Sequence, residues 1–251
     1  MKKITLLFIS FFLVFQGFSQ KYNREDSSFN IFAISATYGY FLPGADLKNR
    51  FGNNSTIGPA ITFKTKSNWV LGLDWNLIFG NKIREDSIFK NIATSSGEII
   101  DGNGYPAIVS LFERGFLTSF KFGKLISINS SNPNSGILLL ASVGLMQHKI
   151  KIENADNAAY QIKGDYKKGY DRLTNGLSIS EYVGYMFYGK NNLINFYSGI
   201  EFTQAWTQNR RSYNFDTQSK DPTKRLDMIM GAKIGWMIPF YNRKPSKYYY
   251  H

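Results

Sequence analysis

Few residues in this chain of 251 carry reactive side chains, and their placement limits the chemistry. There is no cysteine, which removes disulfides and thiolate metal sites. There are two histidines, His148 and the terminal His251. A histidine beside a serine, threonine or acid is the usual engine of acyl or peptide chemistry. His148 stands in Gln147-His148-Lys149-Ile150, with no nucleophile next to it, and one internal histidine is a poor start for a zinc site. No phosphate-loop or dinucleotide fingerprint is present. Asp101-Gly102-Asn103-Gly104 lacks the remaining ligand spacing of a calcium loop. No cofactor is expected.

Two other sets of residues remain. The first is a group of charges on the small, polar faces of alternating segments: Lys64, Asp74, Glu113, Lys121, Glu201, Asp227 and Lys233, joined by His148. Both signs are represented, so a sheet that turned them inward would have to pair them. A paired internal plug is the expectation, ahead of a proton relay or a catalytic set. The second set is basic and aromatic. Tyr160, Tyr166, Lys167, Lys168, Tyr170 and Arg172, with Lys163, fall in one polar stretch; Arg210, Arg211 and Tyr213 fall in another. Arginine and tyrosine are enriched at binding hot spots, so these stretches are candidate partner-binding loops. Ordinary loop charge touching lipopolysaccharide is the competing reading.

The segments that must position these residues alternate strictly. In Trp69–Gly80 the residues Trp69, Leu71, Leu73, Trp75, Leu77 and Phe79 share one face, while Val70, Gly72, Asp74, Asn76, Ile78 and Gly80 share the other. Successive side chains on a strand point to opposite faces. One face is wholly apolar and the other small, polar or charged, the pattern of a strand with lipid outside and a filled lumen inside. The same alternation predicts strands near Phe29–Leu42, Thr56–Thr65, Ile108–Lys124, Gly136–Ile150, Leu177–Tyr188, Leu193–Thr207 and Leu226–Phe240. Pro43-Gly44 is expected to end the first strand, and Pro59 to need a bulge or a strand end. Arg114 lies on the apolar face and would have to snorkel or meet a partner, and Glu181 shares its face with Ile179, Val183 and Phe187.

Eight strands result, and the connections run long, short, long, intermediate, long, short, long. Outer-membrane barrels have an even strand number, long extracellular loops and short periplasmic turns. The reading is therefore an all-β, eight-stranded antiparallel up-and-down transmembrane barrel over 29–240, with a secreted soluble β-domain as the rival. An interior of this width is filled by side chains and leaves no useful pore. Aromatic girdles would account for the 16 % of Phe, Trp and Tyr, and small lumen-facing positions for the 22 glycines.

The ends of the chain fit export. Lys2 and Lys3 precede the apolar run Ile4–Phe15, and Gly17 and Ser19 suit cleavage after Ser19, so 1–19 reads as a signal peptide. A polar segment, 20–28, follows. The tail, 241–251, is basic and aromatic, with Arg243, Lys244 and Lys247 before Tyr248–Tyr250, and is placed in the periplasm. The formal charge of +12 is spread over loops and tail without a nucleic-acid-binding motif. Anionic lipopolysaccharide, or an acidic partner surface, is a better use of it.

The stretches YFLPGADLKNRFGNN, KTKSNW, GDYKKGYDRLTNG and the ending GWMIPFYNRKPSKYYYH resemble small outer-membrane β-barrel proteins of Bacteroidota. The resemblance spans the mature chain. It implies a non-enzymatic accessory subunit of a larger outer-membrane machine, such as barrel assembly or type IX secretion, and it transfers no catalytic residue. An outer-membrane lipid- or peptide-modifying enzyme using His148, and a small pore or ligand-binding barrel, are the alternatives.

Overall fold

The computed structural model describes residues 28–85, 87–129, 132–189 and 193–241. The expected signal peptide, nearly all of the polar segment after it and the tail beyond Tyr241 lie outside the described residues.

Eight antiparallel strands close into one barrel in sequence order: β1 Ile31–Gly44, β2 Asn54–Lys64, β3 Trp69–Gly80, β4 Val109–Ser127, β5 Gly136–Asn154, β6 Thr174–Tyr188, β7 Asn195–Asn209 and β8 Lys224–Tyr241. β8 returns to β1 with Phe32 opposite Phe240 and Gly39 opposite Lys233. Closure removes both sheet edges, so backbone donors and acceptors are met within the ring. The chain reads as a membrane barrel because its outside is apolar at every strand. Leu73, Trp75, Val143, Ile200 and Met230 are each about half exposed, from 45% to 57%. Such a continuous apolar exterior has no place in water. No described helix is long and apolar enough to cross a membrane.

The alternating faces turn out as the spacing predicts, but several element ends do not. β1 runs through Pro43 to Gly44. There β1 has parted from β2, whose pairing ends at Phe41 with Asn54, and pairs with β8 alone. A proline at such a free edge removes no ladder bond. Pro59 needs neither a bulge nor a strand end. Its register with β3 is unbroken, from Ile57 opposite Leu77 to Ala60 opposite Asp74, and the pairing simply lapses between them. At that lapse Gly58 lies so close to β3 that a Cβ would stand 1.9 Å from the Trp75 carbonyl oxygen. β4 and β5 outrun the other strands, and β5 continues past Ile150 to Asn154.

The lumen is filled in layers. At the short-turn end Ile31, Val70, Leu125, Leu138, Met186 and Met237 pack with Tyr182, Tyr188 and Tyr197. At the long-loop end Phe41, Ile78, Leu117, Met146 and Ile229 continue into a second apolar cluster formed by the loops themselves. The polar stretch after β1 is helical: α1, Ala45–Arg50, turns Leu47 and Arg50 inward, and Phe51 follows them into the mouth. Leu47 and Arg50 are three apart, one turn of helix. Ile88, Ile99, Ala159, Ile162 and Tyr170 from the other long connections complete this cap. The loops are thus a second packed layer set on the barrel.

Replacing Gly58 by valine puts a side chain where the neighbouring backbone stands. Gly58→Val should cost more than the ~1–3 kcal/mol of ordinary overpacking. The fraction of protein with heat-modifiable gel mobility should fall several-fold, whereas Gly97→Ala, whose Cβ meets nothing within 4 Å and which bears only the backbone strain of its φ of +86°, should lower it far less.

Candidate functional site

The inward charges assemble in the middle of the lumen. Asp74 on β3, Lys121 on β4, Glu201 on β7 and Lys233 on β8 form a quartet with two charges of each sign. Lys121 Nζ lies 2.5 Å from Asp74 Oδ2 and 3.6 Å from Glu201 Oε2. Lys233 Nζ lies 3.0 Å from Asp74 Oδ2 and donates to both Glu201 oxygens at 3.0 Å. Ser119 Oγ donates to the second Asp74 oxygen at 2.5 Å. The quartet ties β3 and β4 to β7 and β8 across the lumen. Tyr182 and Tyr197, edge to face at 5.8 Å, stand among the apolar side chains toward the short-turn end.

Toward the long-loop end the remaining charges make a second layer. Asn54 Nδ2 donates to Glu113 at 3.2–3.3 Å. His148 Nε2 is 2.8 Å from Asp227 Oδ2, which also accepts from Thr207 Oγ1 at 2.5 Å. The Phe51 ring stands edge-on to His148 at 5.3 Å and the histidine is 1% exposed. β5 runs on past His148 to Asn154 and carries the histidine beneath the loop cap. A histidine, an aspartate and a threonine do meet, but the aspartate sits between the other two, so the imidazole has no hydroxyl to activate. Lys64, at the opposite end of the barrel, has no carboxylate beside it among the described residues. Its ammonium donates to Asn134 Oδ1 at 2.9 Å, Ser28 Oγ at 3.0 Å and the carbonyl oxygens of Phe29 and Thr65 at 3.3 Å. It thereby fixes the chain entering β1. Among the described residues no group of three or more histidines, cysteines and acids is placed to hold a metal ion.

The loop residues divide into two groups. Tyr160 and Tyr166 are exposed at 64% and 63%, and Lys168, Arg210 and Tyr213 are also exposed, with Lys167 half-buried. Lys168 pairs with Asp165 at 2.7 Å, and Arg210 Nε donates to Asn175 at 2.6 Å. Arg211 grips Asp171 with two bonds of 2.8 and 2.5 Å, and that hydrogen-bonded carboxylate raises its pKa further. Tyr170 and Arg172 are a correction to the sequence expectation. Both are buried, Tyr170 between Phe89 and Phe215, so neither offers its side chain to a partner.

What Arg172 does instead is visible only in three dimensions. Its guanidinium pairs with Glu85 at 3.0 Å and with Asp216, while Glu85 also pairs with Arg50 at 3.4 Å. Arg50, Glu85, Arg172 and Asp216 come from the four long connections, one each. This neutral chain of ion pairs clasps all four loops together. Burial lowers the Arg50 pKa, which Glu85 offsets in part. Arg50 Nη2 adds 3.4 Å bonds to the Arg172 carbonyl and Thr174 Oγ1.

No family model and no curated protein matches the chain. Among solved structures it is similar to Ail, the attachment invasion locus protein of Yersinia pestis, at 11% identity, over 83% of this chain and 99% of that one, with a TM-score of 0.41. It is similar to Neisserial surface protein A at 9% identity, over 82% and 96% of the two chains, with a TM-score of 0.44. It is also similar to the N-terminal β-barrel domain of Pseudomonas aeruginosa OprF at 14% identity, over 83% and 98%, with a TM-score of 0.37.

Three substitutions test these arrangements. Asp74→Ala leaves two buried ammonium groups sharing one carboxylate, and should cost about 3–5 kcal/mol in urea unfolding from lipid vesicles. Adding Lys121→Met restores neutrality, and the double variant should lose less than the sum of the two single changes. Arg172→Met strands the buried Asp216 carboxylate and takes one of two partners from half-buried Glu85, a loss of about 1–3 kcal/mol confined to the loops. Tryptic cleavage after Lys167 and Lys168 in the folded protein should then rise about tenfold, with barrel mobility on gels unchanged.

Proposed function

We propose that this chain is a non-enzymatic outer-membrane barrel that serves as a structural or accessory subunit. It would bind another outer-membrane protein or complex, such as barrel-assembly or secretion machinery, through its long loops. The observation that carries this reading is the clasped loop layer. The barrel below it is filled end to end, so its lumen has no room for transport. The loops above share a core and a neutral ion-pair chain, which holds their outer surface in one shape. That surface displays Tyr160, Tyr166, Lys167, Lys168, Arg210 and Tyr213. A rigid platform binds at a lower entropy cost than mobile loops would.

In this reading the protein is exported by its signal peptide, the long-loop end is extracellular and the short-turn end faces the periplasm. The basic side chains of the platform then lie within reach of lipopolysaccharide as well as of an acidic protein surface. The two alternatives meet specific obstacles. An enzyme using His148 would need substrate to reach an imidazole sealed under Phe51 and engaged with Asp227. A pore would have to cross both apolar layers and the quartet between them.

A tagged chain purified in mild detergent from its own cells should bring down stoichiometric partners. Changing Tyr160 and Tyr166 to Ala together with Lys168→Glu should lower their recovery at least tenfold, since hot-spot residues are worth about 2 kcal/mol or more each. Recovery of the chain alone, even after cross-linking in cells, would count strongly against the proposal. His148→Ala should leave the lipid A profile and surface proteolysis as they are, and planar bilayers should show no conductance.

A further inference from the structure

Glu181 lies on the wrong side of the barrel wall. It is exposed on the outer face of β6, with Leu177 and Ile179 outward on its long-loop side and Val183 and Tyr185 on its short-turn side. Its neighbours across the ladder are Ala141 on β5 and Phe202 on β7, and Gln204 stands diagonally from it, opposite Ile179. Its side chain has no hydrogen bond or ion pair among the described residues. It therefore stands near mid-depth of the apolar belt, where acyl chains give a carboxylate nothing to bond with.

The other charged groups that face outward from the strands are at the rims and are occupied there, or stand clear of the belt. Lys124 lies over the Trp69 ring at 4.6 Å at the short-turn rim. Arg114, at the long-loop rim, donates to the carbonyls of Gly80 and Glu113 at 3.3 and 2.6 Å. Lys149 is opposite Arg114 at that same rim, and Lys151 and Glu153 pair with each other above it at 2.7 Å. Among the described residues the central belt holds one charge, Glu181. A lipid-facing charge at that depth destabilises a barrel. An ionisable group inside a membrane is usually paired and usually functional.

We propose that the wall of β5, β6 and β7 around Glu181 is covered, inside the membrane, by a spanning segment of a different membrane protein that presents an arginine or lysine to Glu181. This rests on the accessory-subunit reading and moves part of the contact from the loops to the barrel wall. Charge decides the occupant. A second copy docked two-fold on this wall would set two Glu181 carboxylates together. A second copy docked head to tail would bring no cation from its strands, because among the described residues no outward-facing strand residue supplies one at that depth. Ala141 beside Glu181 leaves a shallow place in the wall between Leu139 and Val143, where another backbone can approach closely. Gln204 adds an amide to the same patch.

The test uses the full chain in the cells that make it. A photo-reactive phenylalanine analogue is placed at Ala141 and, as control, at Ile61 on β2, across the barrel. Irradiation should give one adduct with a different protein from position 141 and none from position 61. Glu181→Arg should reduce that adduct at least tenfold while gel mobility still reports a closed barrel. Should Glu181→Arg fail to fold, Glu181→Leu takes its place; it removes a charge from lipid, should fold at least as well, and should also lose the adduct. The cross-linked peptide should contain an arginine or lysine, and exchanging that residue for glutamate should restore the adduct of Glu181→Arg. Equal adducts from 141 and 61, an adduct indifferent to Glu181→Arg, or one formed with a second copy would overturn the inference. If a partner still co-purifies in those cases, the wall contact alone falls; if none does, the accessory-subunit reading falls with it.

Discussion

The structure depends on charge neutrality inside a lumen lined by buried side chains. Asp74 and Glu201 face Lys121 and Lys233, so the quartet carries two charges of each sign and each group has an opposite partner. Four strands therefore have a shared electrostatic reason to stay in register. A slip of one residue would turn these charges to the lipid and the apolar belt to the lumen. Lys64 sits at the end of the barrel, where hydroxyl, carbonyl and amide oxygens of the described residues surround its ammonium.

The same logic repeats outside the membrane. Arg50, Glu85, Arg172 and Asp216 form a second neutral set, now between loops instead of strands. It works together with an apolar cap of Leu47, Phe51, Ile88, Ile162 and Tyr170. Isolated surface ion pairs are worth little, but networks held against a packed core contribute more. The result is a stopper with a fixed upper surface. On the proposed reading, function belongs to its outer surfaces, through the exposed loop tyrosines and the outward Glu181.

Much of the fold was legible in the sequence because a strand's two faces are written in alternate residues. Trp69–Gly80 alternates without exception, and β3 has those same limits. The inward position of Asp74, Lys121, Glu201 and Lys233 follows from the same count. What escaped was whatever period two does not encode. A six-residue helix such as α1 is too short to show a helical stripe clearly, and polar composition hid its buried Leu47 and Arg50. Tyr170 and Arg172 looked like surface residues because a loop's own sequence says nothing about the other loops that fold over it. The His148–Asp227 contact joins β5 to β8 across the lumen, and no spacing along the chain foretells that.

The central claim is that a sealed barrel presents two rigid outer surfaces, one above the membrane and one within it, to another protein. The most direct measurement is a structure of the tagged chain held in patches of its native membrane. The account predicts a second protein in contact with Tyr160 and Tyr166 on the loop layer, and a spanning segment with a basic side chain at Glu181. A solitary barrel, with lipid at Glu181 and solvent over the loops, would contradict it.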